Sequence, residues 1–264
     1  SGRASGDVTF TIKDGEAIFS RAGVKATVQI KIADIQDLGG ASIKLSADVT
    51  GLSFTNALLL SKLTGFDLNG KTLSLTHVDT TDIAVAVNIP GVIGITPNPA
   101  EVSAPLTVDF ADVGKFVGFT NLTVTGVNPA NVSGILANEA VTKIIADPAS
   151  AGAPLTVSYA DLTKVDGFAN ITVSHVSADD VAATLNVPGV SAVVADPATA
   201  GTALSVAYDK LDKVIGFTAI TATEVSAANV VAALTHPGVD AVVADAADAN
   251  TALSLTLENA GKVT

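Results

Sequence analysis

The sequence predicts an α/β, β-rich solenoid: parallel strands alternate with short helices in a 49-residue repeat, behind an N-terminal antiparallel β cap. Three observations carry this reading. Whole motifs return every 49 residues, β-branched alternating runs occupy the same place in each unit, and 48% hydrophobic residues coexist with only 4% aromatic ones. A solenoid shelters the apolar side of each coil on its neighbours, and coils that superpose closely favour small aliphatic side chains over rings.

The cap comes first and occupies residues 1–48. Val8-Thr-Phe-Thr-Ile12 and Ala17 to Ser20 flank Lys13-Asp14-Gly15-Glu16, and Asp-Gly supplies the positive φ of a tight hairpin. Ala26-Thr-Val-Gln-Ile-Lys-Ile32 alternates as a further strand. Such a cover is expected because a bare solenoid end exposes apolar surface and unpaired strand groups.

The repeats follow over residues 49–264, in units near 49–101, 102–150, 151–199, 200–248 and a partial 249–264. Leu106-Thr-Val, Leu155-Thr-Val, Leu204-Ser-Val and Leu253-Ser-Leu keep the 49-residue step, as do Lys115, Lys164, Lys213 and Lys262. Gly118-Phe119, Gly167-Phe168 and Gly216-Phe217 keep it too, whereas Gly65-Phe66 lies 53 residues before the first of these and marks a divergent unit. Leu73 to Val78, Leu122 to Val127, Ile171 to Val176 and Ile220 to Val225 read as strands. Asp79, Asn128, Ser177 and Ser226 follow them at once, each able to cap a helix. Val181 with Leu185, and Val230 with Leu234, then form one helical face. Pro188-Gly189 and Pro237-Gly238 end those helices, and Ala192 to Asp196 and Ala241 to Asp245 resume as strands. Asp161 to Val165 reads as one more helical turn, with Phe168 plugging the interior after it. With two coils per unit and roughly 4.8 Å between parallel strands, each unit advances the solenoid by about 10 Å.

Composition removes several functional classes. Zero Cys excludes disulfides, thiolate metal sites and cysteine nucleophiles. A net charge of −12 argues against nucleic acid, whose binding needs clustered Lys and Arg. The most apolar stretch, Ile83 to Ile95, is too short for a membrane span and carries Asn88, Pro90 and Gly91. The charge is unevenly placed: residues 1–71 hold 8 Lys or Arg against 7 Asp or Glu, and residues 72–264 hold 6 against 19. Opposed ends favour head-to-tail self-association, a heterologous contact that grows filaments. The same acidic residues also serve solubility.

The two chain ends carry expectations of their own. The start Ser1-Gly2-Arg3 lacks Met, as in a processed form, a fragment or a tagged chain. The last unit stops where other copies reach Gly-Phe, so its end is covered by a longer array, by a local cap or by another molecule.

No enzymatic constellation is present: no nucleophile elbow, phosphate loop or His-Glu-x-x-His occurs, so no catalytic or cofactor-binding residue and no cofactor is assigned. Asp147, Asp196 and Asp245 recur at one corner and are weak Ca²⁺ candidates, set against ordinary turn chemistry. His77 and His175 share a strand-end position, with Gly126 and Glu224 at the other copies, which suits a variable site better than a metal ladder. Asn121, Asn131 and Asn170 match the glycosylation pattern, and a structural role competes. Asp179-Asp180 falls in a first helical turn, where negative charge suits the dipole, and the repeated lysines read as solvated helix-end charges.

Val176-Ser-Ala-Asp-Asp-Val181, Val225-Ser-Ala-Ala-Asn-Val230 and Pro188-Gly-Val-Ser-Ala-Val-Val-Ala-Asp196 resemble the Ala/Val/Thr-rich α/β repeats of large secreted bacterial surface proteins, including adhesins of the repeats-in-toxin type and surface-layer proteins. The resemblance spans about residues 70–264, although the glycine-rich calcium nonapeptide of toxin-type repeats is absent. It implies an extracellular structural or adhesive protein: a self-assembling filament or layer subunit, or an adhesin stalk. The alternative is a binding module whose Thr107, Thr156 and Ser205, or Thr123, Thr172 and Thr221, present a regular face to a cell-surface glycan, a mineral or ice.

Overall fold

The computed structural model describes residues 8–35, 38 and 42–264, so Ser1-Gly2-Arg3 and part of the expected cap lie outside the described residues. The chain forms two compact units, residues 1–124 with 139–142, and residues 125–138 with 143–264.

In the first unit, β1 (Val8–Lys13) and β2 (Glu16–Arg21) pair antiparallel through a turn in which Asp14 (φ 52°) and Gly15 (φ 78°) are both left-handed, as the Asp-Gly pair predicts. β3 (Val28–Lys31) adds to β2 antiparallel. The antiparallel pattern stops there, because β4 (Ile43–Leu45), which lies inside the expected cap, runs parallel to β1. Next come β5 (Val49–Ser53), α1 (Phe54–Lys62), β6 (Phe66–Asp67), β7 (Leu73–Val78), α2 (Ile83–Ala86), β8 (Val92–Pro97) and β9 (Leu106–Asp109). One sheet has the order β3-β2-β1-β4-β6 and a second, all parallel, the order β5-β7-β8. Phe10 is buried in the core under the first sheet, with its ring 5.7 Å from that of Phe19 and 5.6 Å from that of Phe66.

The divergent 53-residue step has a local cause. Later copies follow their Leu-x-Val strand with a six-residue 3-10 turn, at Phe110–Lys115, Tyr159–Lys164 and Tyr208–Lys213. The first copy has the nine-residue α1 there, started by Ser53, whose Oγ accepts the Asn56 amide at 3.2 Å. That helix lies before Gly65 and so outside the step. The four extra residues sit between Phe66 and Leu73, in the turn of residues 67–72 where Asn69 (φ 50°) and Gly70 (φ 71°) are left-handed, whereas Leu73 to Leu122 keeps the 49-residue step.

β10 (Leu122–Val127), α3 (Val132–Leu136) and β11 (Val141–Ala146) complete the next copy. In the second unit follow β12 (Leu155–Ser158), β13 (Val165–Asp166), β14 (Ile171–Val176), α4 (Val181–Leu185), β15 (Val190–Ala195), β16 (Leu204–Ala207), β17 (Val214–Ile215), β18 (Ile220–Val225), α5 (Val230–Thr235), β19 (Val239–Ala244) and α6 (Leu257–Ala260). β12-β14-β15-β17 and β16-β18-β19 are parallel sheets built in the same register, Leu155 against Ile171 in one and Leu204 against Ile220 in the other. Inward residues such as Leu155, Val157, Ile171, Val173 and Val193 are buried, and each such side chain contributes roughly 1.5–3 kcal/mol on burial.

These two sheets are separate. β16 opens the second before β17 closes the first, so the strands do not continue as one uninterrupted ladder. β17 is only two residues long, and Gly216 (φ 81°) then turns the chain so that Phe217 enters the core, as Phe168 does one copy earlier. The result is a β-rich protein of several short parallel sheets and short helices, compatible with an α/β repeat.

The helices differ in detail from the sequence pattern. Asp79, Asn128, Ser177 and Ser226 each precede a three-residue 3-10 turn, and the α-helix begins four residues after them, at Ile83, Val132, Val181 and Val230. The buried partner of Val181 is Thr184 and that of Val230 is Ala233, while Leu185 and Leu234 are half-buried. A helix of five or six residues presents only one turn to the sheet, so the three-residue neighbour reaches the core.

Candidate functional site

The recurring corner is the first place to look for chemistry. Its aspartates turn their carboxylates on their own loops: Asp147, Asp196 and Asp245 accept through Oδ1 from the amides of Ala149, Ala198 and Ala247 at 3.1, 2.9 and 3.0 Å. Their own amides donate to the carbonyls of the buried residues Val127, Val176 and Val225 at 3.0, 2.9 and 2.9 Å. Asn98 makes both bonds in the first unit, accepting from Ala100 and donating to Val78. A neutral amide thus does the same work as the carboxylate, which marks the position as turn chemistry. Among the described residues no three His, Asp or Glu side chains gather to hold a metal ion.

The strand-end position has a backbone meaning that the sequence pattern did not reveal. His77 (φ 55°), Gly126 (φ 70°), His175 (φ 59°) and Glu224 (φ 57°) are all left-handed. In the second unit, the register between β14 and β15 slips between Val173 and Val176, and that between β18 and β19 slips between Ala222 and Val225. The bulge lets Val176 and Val225 turn inward while residues 175 and 224 are exposed. Gly126 was the signal that could have shown it. His236 stands apart, with Nε2 4.0 Å from Asp212 and Nδ1 3.0 Å from the Pro237 carbonyl.

The asparagines of the glycosylation pattern are engaged differently. Asn121 Oδ1 accepts from Thr142 Oγ1 at 2.9 Å, and Asn170 Oδ1 accepts from Ser191 Oγ at 2.8 Å, tying the start of one strand to the next strand of its sheet. Asn131 is exposed ahead of α3.

Of the four expected caps, Asn128 alone accepts a first-turn amide, from Ala130 at 3.0 Å. Asp79 accepts from Asn98 Nδ2 at 2.8 Å, Ser177 donates to Asp180 Oδ2 at 2.6 Å, and Ser226 accepts from Asn229 Nδ2 at 3.0 Å. Asp180 also accepts from the Tyr159 hydroxyl, which raises the phenol pKa above its ordinary value. Asp179-Asp180 therefore ends a 3-10 turn immediately before α4.

Two of the four repeated lysines pair three residues back, Lys115 with Asp112 at 2.8 Å and Lys164 with Asp161 at 3.1 Å, and Lys262 lies 4.0 Å from Glu258, four residues back. Lys115 also donates to the Val87 carbonyl at the end of α2, where a cation suits the dipole. Position 210 holds Lys instead of Asp, and Lys213 is exposed. Asp161 accepts from Ser158 Oγ at 2.7 Å, and this bond first, then Lys164, lowers its pKa.

The hydroxyl rows align only in part. Thr156 lies beside Thr172, and Ser205 beside Thr221, but the next strand supplies Ala192 and Ala241. Each row of three carries two hydroxyls.

A groove of about 410 Å³ in the first unit, lined by α2, β9 and Phe116, contains the carboxylates of Asp109 and Asp112. Asp109 is spent on the Ala111 amide at 2.9 Å and Asp112 on Lys115. No helix among the described residues is long and apolar enough to cross a membrane. Compared with known proteins, the chain matches no family model, no curated protein and no solved structure.

Proposed function

We propose that the protein is a non-enzymatic, extracellular structural repeat protein, wound as a solenoid and serving as a self-assembling subunit of a bacterial cell-surface filament or layer. The observation that carries this reading is the reuse of one set of backbone and side-chain bonds in every copy. Corner amide to valine carbonyl, corner carboxylate to its own loop and strand register all return every 49 residues. The carboxylates of Asp147, Asp196 and Asp245 and the side-chain amide of Asn98 are spent on holding the chain in that shape. Side chains committed to their own turns suit a scaffold better than a reaction, which needs groups converging on a shared space.

The uneven charge favours assembly over an isolated adhesin stalk, because a mildly basic N-terminal region and a strongly acidic remainder attract one another between copies. Electron microscopy and light scattering of the purified chain test the reading. Filaments or sheets with a subunit repeat are expected, and particles that stay monomeric at millimolar concentration reject it.

A further inference from the structure

Resting on the extracellular reading, we infer that Asn131 is the attachment site for an N-linked glycan on the folded protein, and that Asn121 and Asn170, which match the same acceptor pattern, are not. The three candidates are Asn121-Leu-Thr123, Asn131-Val-Ser133 and Asn170-Ile-Thr172. A transferase has to grip all three residues and reach the carboxamide nitrogen of the first, so an acceptor must be able to leave its local structure.

Two of the three are locked. The Asn121 carbonyl accepts the Leu106 amide at 3.0 Å and the Leu122 amide donates to the Ala140 carbonyl at 2.8 Å, and Asn170 and Ile171 repeat both bonds with Leu155 and Gly189 at 2.9 and 2.7 Å. Each triplet thus begins a strand that is hydrogen-bonded on both sides. Both asparagine side chains are engaged as well, with Thr142 and Ser191, and Asn121 Nδ2 also donates to the Ser103 carbonyl at 3.4 Å. Releasing either triplet breaks a sheet.

Asn131 is held by none of this. At the equivalent place Asp180 accepts from Ser177 and Tyr159, and Asn229 donates to Ser226. In the copy that contains Asn131, Asn128 replaces the serine and spends its Oδ1 on the Ala130 amide, while Phe110 replaces the tyrosine and has no hydroxyl. Among the described residues no bond holds the Asn131 side chain, and Asn131 and Ser133 are both exposed. Val132 between them is buried, so transfer needs α3 to unwind locally. α3 is suited to that, with only five residues and with Gly134 where α4 and α5 have Ala183 and Ala232. Glycine inside a helix favours the unwound chain.

The donor is an oligosaccharide linked to polyprenyl diphosphate. Asn131 Nδ2 attacks C1 of the first sugar, and the C1–O bond to the diphosphate breaks as the C1–N bond forms. One carboxamide proton passes to a carboxylate of the transferase, and polyprenyl diphosphate departs.

For the test, the folded full-length chain is incubated with a single-subunit oligosaccharyltransferase and polyprenyl-diphosphate chitobiose, and glycopeptides are mapped by mass spectrometry. A proteolytic digest of the same chain, in which all three triplets are unstructured, runs alongside. The digest is expected to take glycan at all three asparagines, and the folded chain at Asn131 alone. Asn131→Gln abolishes the folded-state product. Gly134→Ala, whose new Cβ meets nothing within 4 Å, lowers the initial rate roughly five-fold by holding α3 closed. Unchanged circular dichroism in both variants separates a lost acceptor from a lost fold. A folded chain modified at Asn121 or Asn170 as fast as at Asn131, or left bare while its digest is modified, overturns the assignment. Either result leaves the assembly reading to its own test by electron microscopy, and a chain that is glycosylated at Asn131 but never forms filaments overturns assembly alone.

Discussion

Glu101 Oε2 accepts the backbone amide of Thr80 at 2.6 Å, and the same bond returns where Asp248 Oδ2 accepts from Ala227 at 3.1 Å. In both cases an acidic side chain satisfies the first amide after the expected cap, 21 residues upstream. The two intermediate copies differ in an instructive way. Ser150 stands opposite Pro129, which has no amide to satisfy. Thr199 stands opposite Ala178, and its Oγ1 is buried with no partner. Thr199→Asp should therefore place a carboxylate against the Ala178 amide and raise stability by about 1 kcal/mol. Ser150→Asp should give no such gain. Urea denaturation of both variants checks the pair, and equal effects would remove the explanation.

The left-handed strand end makes a second expectation. A non-glycine residue in that conformation costs roughly 1–2 kcal/mol, which glycine avoids at some cost in chain entropy. His175→Gly should stabilise the protein by about 0.5 kcal/mol, in line with Gly126 at the neighbouring copy, and His175→Val should destabilise it by about 1–2 kcal/mol. Thermal unfolding of the two variants distinguishes a backbone requirement from a histidine function, since the latter would make both harmful.

Gly189 and Gly238 answer to close approach as well as to φ. A Cβ at either would lie 1.9 Å from the carbonyl oxygen of Phe168 or Phe217. Ala140 occupies the equivalent place one copy earlier, where φ is not positive. Gly189→Ala should cost at least about 2 kcal/mol, because backbone must move. Gly114→Ala, which meets nothing within 4 Å, is the matched control and should change stability little. Comparable losses in both would disprove the steric account.

Asp161 supplies a pH dependence. Its carboxyl is held below the usual carboxylate range, first by the Ser158 hydroxyl and then by Lys164. A folded-state pKa below the unfolded one adds stability that is present above the unfolded pKa and is lost as pH falls through the folded pKa. Ser158→Ala should move the Asp161 titration upward and reduce the acid-limb contribution, while Lys164→Ala should move it less. Carbon-detected NMR titration reads both shifts directly, and the reverse ranking would make the lysine, not the hydroxyl, the larger cause.

Much of the repeat was legible in the chain. The strands Leu73–Val78, Leu122–Val127, Ile171–Val176 and Ile220–Val225 form at the residues that their alternation marks, because period-two burial is written into consecutive residues. The Asp14-Gly15 turn was equally local. The helix face was not, since Leu185 fits a longer helix than the one that forms at Val181–Leu185. The acidic partners Glu101 and Asp248 were also hidden, because Glu101 and Thr80 stand 21 residues apart in the chain and meet only once β7 and β8 have paired.

Where the chain extends, where it turns and at what interval it starts again are written in the residues themselves, for these depend on the sterics and polarity of near neighbours. Folding alone settles which strands share a sheet, that β1 joins β4 in parallel, and that the position of His77, His175 and Glu224 is left-handed. Those outcomes depend on backbone groups far apart in the chain finding donors and acceptors at one level, and residue identity at a single place does not specify its distant partner.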